Sequence, residues 1–108
     1  MPRRIAIIQG HPDPAGHHLC HALADAYTKG AESAGHQVHR IEIAQLDFPL
    51  LRSAEEFSAA SPPASLQPAQ DAIAEANHLV IIYPLWVGTM PALLKAFLEQ
   101  NFPAGLRI

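Results

Sequence analysis

Between His78 and Asn101 the chain reads HLVIIYPLWVGTMPALLKAFLEQN: a short apolar run, a turn and an amphipathic repeat in immediate succession. Leu79 to Ile82 is unbroken hydrocarbon with Val and Ile in it, the composition of a strand covered on both faces, so an interior strand is expected. Pro84 lacks an N–H and ends ladder pairing, and Gly88 permits a tight turn or a close backbone approach to a ligand. Thr89 stands where a helix N-cap would, with Pro91 in the first turn. Beyond them Leu93, Leu94, Phe97 and Leu98 recur at helical spacing, while Lys95 and Glu99 fall on the polar side. A strand, a turn and a helix in this order put backbone N–H groups at the carboxyl edge of a sheet, where open α/β folds bind ligands.

A second apolar run, Ile5 to Ile8, lies inside Arg4 to His11 and predicts the first buried strand. The stretch HPDPAGHH from His11 to His18 holds two prolines and a glycine, so it must be a loop on that strand's carboxyl end. From Leu19, the residues Leu19, Ala22, Leu23, Ala26, Tyr27, Gly30 and Ala34 repeat at three and four, predicting a helix whose small residues on this face allow close packing on the sheet and which stops at Gly35. Gln37 to Ile43 alternates, as an edge strand would. Ala44 to Ser65 is loop-like, with one apolar knot at Phe48, Leu50 and Leu51. A short helix follows, starting near Ser65 and Pro68, with Leu66, Ala69, Ile73 and Ala76 on one face and Asn77 at its end.

The order β-α-β-loop-α-β-α with helical crossovers implies a parallel α/β sheet, because right-handed crossovers return each strand in the same direction. Setting the two continuously apolar strands side by side yields the spatial order 2-1-3, the first half of the flavodoxin-like order. One domain is expected from 108 residues of which 49% are apolar. The crevice of such a sheet lies between the loop at His11 and the turn at Pro84.

A formal charge of −3 with scattered Lys and Arg argues against nucleic acid or an anionic membrane as a partner. The lone Cys20 cannot form an internal disulfide, and Ile5 to Ile8 is too short for a signal core or a membrane span, so no membrane insertion and a cytoplasmic location are expected. A loop at such a crevice usually binds a phosphate through N–H groups at a helix start. Gly10 and Gly16 are six apart, and neither GxGxxG nor GxxxxGK[ST] can be built from them. His17 and His21, four apart, with His11, His18 and Cys20 nearby, raise the alternative of a metal site. The pattern is not HExxH and has no second cysteine, so solvated or phosphate-facing histidines are the favoured reading.

GHPDPAGHHLCHALADAY together with YPLWVGTMPALLKAFLEQ resembles the flavodoxin-like NAD(P)H:quinone oxidoreductases, which carry an HPxP-type loop after the first strand and a PLxxxxxPAxLK turn after the third. DFPLL at Asp47 to Leu51 resembles their long connection, and the likeness runs from Arg4 to about Phe102. It implies that His11, His17, His18, Leu19 and Cys20 wrap the phosphate and ribityl chain of a flavin, FMN or FAD. Pro84, Leu85, Trp86 and Val87 would then border the isoalloxazine ring. Where the family commonly has a Ser, Phe, Asn run, this chain has His18, Leu19 and Cys20, so flavin affinity rests more on backbone donors. Trp86 also has a plainer reading as filler at a core edge, and Cys20 as an inert packed thiol.

The resemblance further implies two-electron hydride transfer from NAD(P)H through the flavin to a quinone-like acceptor, with no side chain assigned an acid-base role. The alternative is a non-catalytic binding or regulatory module of the same shape. Family members continue for nearly as long again. A chain ending at Ile108 would leave Leu79 to Ile82 as an unprotected edge, and the expectation is a shortened product or an edge covered by another subunit, as in a homodimer.

Overall fold

The computed structural model describes residues 2–58 and 62–102. Residues 59–61 of the expected long connection lie outside the described part. Three strands, β1 (Arg4–Gln9), β2 (Gln37–Glu42) and β3 (His78–Ile82), form one sheet in the order β2-β1-β3, all parallel. The helices are α1 (Leu19–Ser33), α2 (Ala54–Ser58), α3 (Gln67–Glu75) and α4 (Ala92–Asn101), with short 3-10 turns at Ile43–Gln45 and Ala64–Leu66.

β1 sits in the middle, and strand alternation sends its side chains to opposite faces. Ile5 and Ile7 pack with Ala24 of α1 and with Val38, Val80 and Ile82. On the other face Ile8 joins Ile41, Ile43, Leu66, Ala69, Leu94 and Phe97, which brings α3 and α4 under the sheet. Six of the larger of these side chains, Ile7, Ile8, Ile43, Leu66, Leu94 and Phe97, are fully buried. At about 1.5–3 kcal/mol for each large apolar side chain removed from water, this two-sided core holds the layers together. The long connection is tied in where Phe48 meets Phe97 edge to face at 6.2 Å, and where the Gln100 side-chain amide donates to the Pro49 carbonyl. Of its apolar knot, Leu50 stays exposed.

Three expectations are corrected. β3 pairs with β1 alone among the described residues, the edge place that the order 2-1-3 gives it and not the interior one its composition suggested, and Leu79 and Ile81, on one face, are exposed. Composition of this kind speaks to the cover on a strand's two faces and carries no information on whether a further strand lies beside it. The face of α1 that turns inward is Cys20, Ala24 and Ala31, while Leu19, Leu23 and Tyr27 face out. Small side chains on the sheet side let the helix axis come close, and that outweighs the larger hydrocarbons one step round the helix. Thr89 is not the N-cap of α4. Pro91 holds that place in extended backbone (φ −60°, ψ 148°), and the helix starts at Ala92.

Gly10 follows β1 where it passes closest to α4. Its N–H donates to the Ile82 carbonyl at 2.7 Å, and a Cβ there would meet Leu94 Cδ2 at 2.8 Å. That close approach brings the ends of β1 and β3 together and sets the positions of the two bends that follow. No helix among the described residues is long and apolar enough to cross a membrane.

Candidate functional site

The loop after β1 is held by a sequence of short bonds. The Gln9 side chain, fully buried, accepts the His11 N–H at 2.8 Å and stands 3.5 Å from Glu42 of β2. His11 Nδ1 accepts the Asp13 N–H at 3.1 Å, and Asp13 Oδ1 accepts the Ala15 N–H at 2.9 Å, an Asx turn that leads into Gly16 at φ +78°. Asp13 Oδ2 lies 2.8 Å from His18 Nε2. His18 is the N-cap of α1, and its N–H donates to His21 Nδ1 at 3.4 Å.

These bonds gather three imidazoles. His11, only 6% exposed, lies face to face with His18, centroids 3.9 Å apart and planes 10° from parallel. His21 is 5.6 Å from His11 and 5.7 Å from His18. Burial holds the His11 pKa below its ordinary value, and the neighbouring His18 and His21 add to that. Asp13 is held below the usual carboxylate range, first by the Ala15 N–H and then by His18. Burial pushes the Cys20 thiol up, consistent with an inert packed side chain. No group of three or more His, Cys, Asp or Glu among the described residues is placed to hold a metal ion.

The bend after β3 reaches this cluster through one residue. Trp86 meets His11 edge to face, centroids 5.5 Å apart, so the exits of β1 and β3 do share a crevice. Trp86 and Thr89 close a two-residue turn with Val87 at φ 53° and Gly88 at φ 77°, both left-handed. Pro84 is half-buried, whereas Leu85, Trp86 and Val87 are exposed, Val87 completely. A hollow of about 610 Å³ lies against this turn, lined by Trp86, Val87, Met90 and Lys95. A larger one, about 810 Å³, opens at the amino end of β3 beside Asn77 and Leu79, away from both bends.

Of the residues expected at the site, His11, His18 and Trp86 are brought together. Cys20 is buried in the first turn of α1; His17 and Leu19 are exposed at the loop's mouth. The Leu19 and Cys20 N–H groups find no carbonyl acceptor among the described residues, as the first turn of a helix dictates. Two organising residues were not anticipated. Asp13 was signalled by the D-P-x-G turn pattern, and Gln9 by a polar side chain closing an apolar strand.

The family model described as flavodoxin-like fold matches residues 3–108. The chain belongs to that flavodoxin-like family. No curated protein matches it significantly. Among solved structures, this flavodoxin-like chain is similar to an NAD(P)H:quinone oxidoreductase from Methanothermobacter marburgensis at 26% identity and a TM-score of 0.78, over 97% of this chain and 56% of that one. It is also similar to an azoreductase from Bacillus anthracis at 17% identity and a TM-score of 0.65, over 97% and 57%. A Klebsiella pneumoniae structure bearing the name quinone reductase gives 18% and 0.76, over 95% and 46%. The flavodoxin-like chain thus spans about half the length of the structures it matches.

Proposed function

We propose that this chain binds a flavin, FMN or FAD, at the two converging bends and serves a two-electron transfer from NAD(P)H to a quinone-like acceptor. The observation that carries the reading is the Trp86 to His11 contact, which joins an anion-favouring helix start to an aromatic wall. His11, His17, His18, Leu19 and Cys20 would border the phosphate and ribityl chain, chiefly with backbone N–H groups of the first turn of α1. Pro84, Leu85, Trp86 and Val87 would border the ring.

The donor set fits such a ligand: first-turn N–H groups without a carbonyl acceptor favour a phosphate, and an indole beside proline and leucine favours a flat apolar heterocycle. Bound flavin supplies the hydride relay. The protein's part is to fix ring orientation through Trp86 and to keep the phosphate end immobile through the loop anchored by Gln9 and Asp13. The similarity to the M. marburgensis enzyme supports the quinone-like acceptor, and a homodimer working in the cytoplasm completes the proposal.

A second reading, a flavodoxin-shaped binding or regulatory module, is favoured by the openness of the turn. Leu85 is 72% and Trp86 46% exposed, so the ring would have one wall and no lid among the described residues. The deciding experiment is reconstitution with FMN and with FAD, read as visible absorption, followed by NAD(P)H oxidation with a quinone. Flavin uptake with turnover supports the enzyme; uptake without turnover supports the module. Absence of uptake and of turnover with either flavin refutes the enzyme and supports a module that contacts a partner instead.

A further inference from the structure

Resting on the reading that the loop after β1 holds the flavin's phosphate, we propose that His18, positioned by Asp13, makes capture of the phosphate proton-coupled. One proton is taken up on the His18 imidazole as the dianion docks.

Three imidazoles share the loop, but their bonds give them different roles. His11 Nδ1 accepts the Asp13 N–H and His21 Nδ1 accepts the His18 N–H. A nitrogen whose lone pair accepts a hydrogen bond is not free to take a proton while that bond holds, and at His11 burial disfavours the charged ring as well. His18 is the ring with a carboxylate against it, at 2.8 Å. Asp13 is oriented toward it, because its other oxygen accepts the Ala15 N–H that closes the turn. The groups that face the cluster are Asp13 and His18 from the loop, His21 from α1, the Gln9 amide from β1 and Trp86 from the turn after β3. Glu42 of β2 stands behind Gln9 and is paired with Arg40.

A ligand is independently called for by His11. Its ring is 6% exposed, yet Nε2 has no partner among the described residues and is not sealed from solvent. A donor on a buried ring that keeps contact with solvent is available to an anion. With His18 neutral, however, the Asp13–His18 pair carries a net negative charge and repels a phosphate dianion. With His18 protonated the pair is neutral, and the imidazolium is attractive at close range. Linkage then requires reciprocity: the anion draws a proton onto His18, and protons tighten the anion.

The test is calorimetric titration of FMN into the whole protein in two phosphate-free buffers of different ionisation enthalpy, with riboflavin, which lacks the phosphate, as the control. As pH falls from about 8.5 to 6.5, FMN affinity should rise about tenfold with net proton uptake, and riboflavin should show neither. Asp13→Asn keeps an acceptor for the Ala15 N–H but removes the charge; proton uptake and the pH slope should both shrink in it. His18→Gln should abolish both.

Inorganic phosphate, read by the NMR signals of the His18 ring, separates this inference from the reading beneath it. FMN bound with no proton uptake overturns the coupling and leaves the flavin site standing. No flavin uptake, with phosphate still moving the His18 titration to higher pH, refutes the flavin site and upholds the role of His18. His18 signals indifferent to phosphate, with no flavin bound, end both.

Discussion

Trp86 and Thr89 exchange both backbone hydrogen bonds, Trp86 N–H to the Thr89 carbonyl at 2.9 Å and Thr89 N–H to the Trp86 carbonyl at 3.2 Å. A two-residue turn closed this way demands positive φ at both central positions, and Val87 occupies the first at φ 53°. A β-branched side chain there costs about 1–2 kcal/mol, and Val87 makes no compensating burial because it is wholly exposed. Val87→Asn, which supplies the Asn-Gly pair such turns favour, should therefore stabilise the protein by about 1 kcal/mol, or about 4–8 °C in Tm. A thermal melt showing a lower Tm would mean that the turn is not built as described. Strain of this kind sits where a ligand site is proposed, so the same variant should also be compared for flavin uptake.

Gly10 offers a different test, of space rather than backbone. A Cβ at this position would lie 2.8 Å from Leu94 Cδ2 and 3.2 Å from the Ile82 carbonyl, in a fully packed region. Gly10→Ala should cost about 1–3 kcal/mol, the range for overpacking a core. Adding Leu94→Val should recover part of that loss. Urea denaturation of the two single variants and the double variant measures the coupling; strictly additive losses would show that Gly10 and Leu94 are not in contact.

What was readable in advance divides along physical lines. Ile5 to Ile8 and Leu79 to Ile82 announced strands because a parallel strand with helices on both sides needs unbroken hydrocarbon, and the order 2-1-3 followed from setting them together. The inward face of α1 did not follow. Hydrophobicity ranks Leu19, Leu23 and Tyr27 above Cys20 and Ala24, but the sheet selects by closeness, and small residues win. Thr89 looked like an N-cap by type, yet its backbone is committed to Trp86, a pairing that depends on the Val87-Gly88 conformation. That the loop after β1 and the turn after β3 would meet was legible from their composition and order, while His11, His18 and Trp86 as residues of a candidate site came from the family resemblance. That three rings would cluster through Asp13 was not, since imidazole stacking is set by geometry that spacing alone does not encode.

Acid should weaken the fold through His11. Its pKa in the folded protein is depressed from 6.5, mainly by burial and further by His18 and His21. Well above 6.5 both folded and unfolded forms are neutral and the residue contributes nothing. As pH falls through 6.5 the unfolded chain takes the proton first, so stability declines until the depressed folded value is passed. Asp13 acts in a lower window: its folded pKa is also depressed, so its stabilisation is complete above the ordinary carboxylate value and is lost as pH falls through the folded one. His11→Asn retains an acceptor for the Asp13 N–H but does not titrate. It should flatten the stability loss between about pH 7 and 5.5 in urea melts, the interval in which histidines ionise. A wild-type slope in the variant would assign the acid sensitivity elsewhere.

The outer edge of β3 carries the last prediction. Among the described residues β3 pairs only with β1, and Leu79 and Ile81 are each more than a third exposed, at 38% and 39%. Strand His78–Ile82 has no charged Lys or Glu and no proline within it to blunt an edge, so its unpaired N–H and carbonyl groups are open to another strand. Self-association rising with concentration is therefore expected of the 108-residue chain. Ile81→Lys, which puts a desolvation cost on any strand docking there, should lower the associated fraction several-fold, while costing under about 1 kcal/mol of fold stability because the side chain is already substantially exposed. Light scattering across a concentration series, on wild type and variant, checks this. A wild type that stays monomeric throughout would show that the edge is already protected.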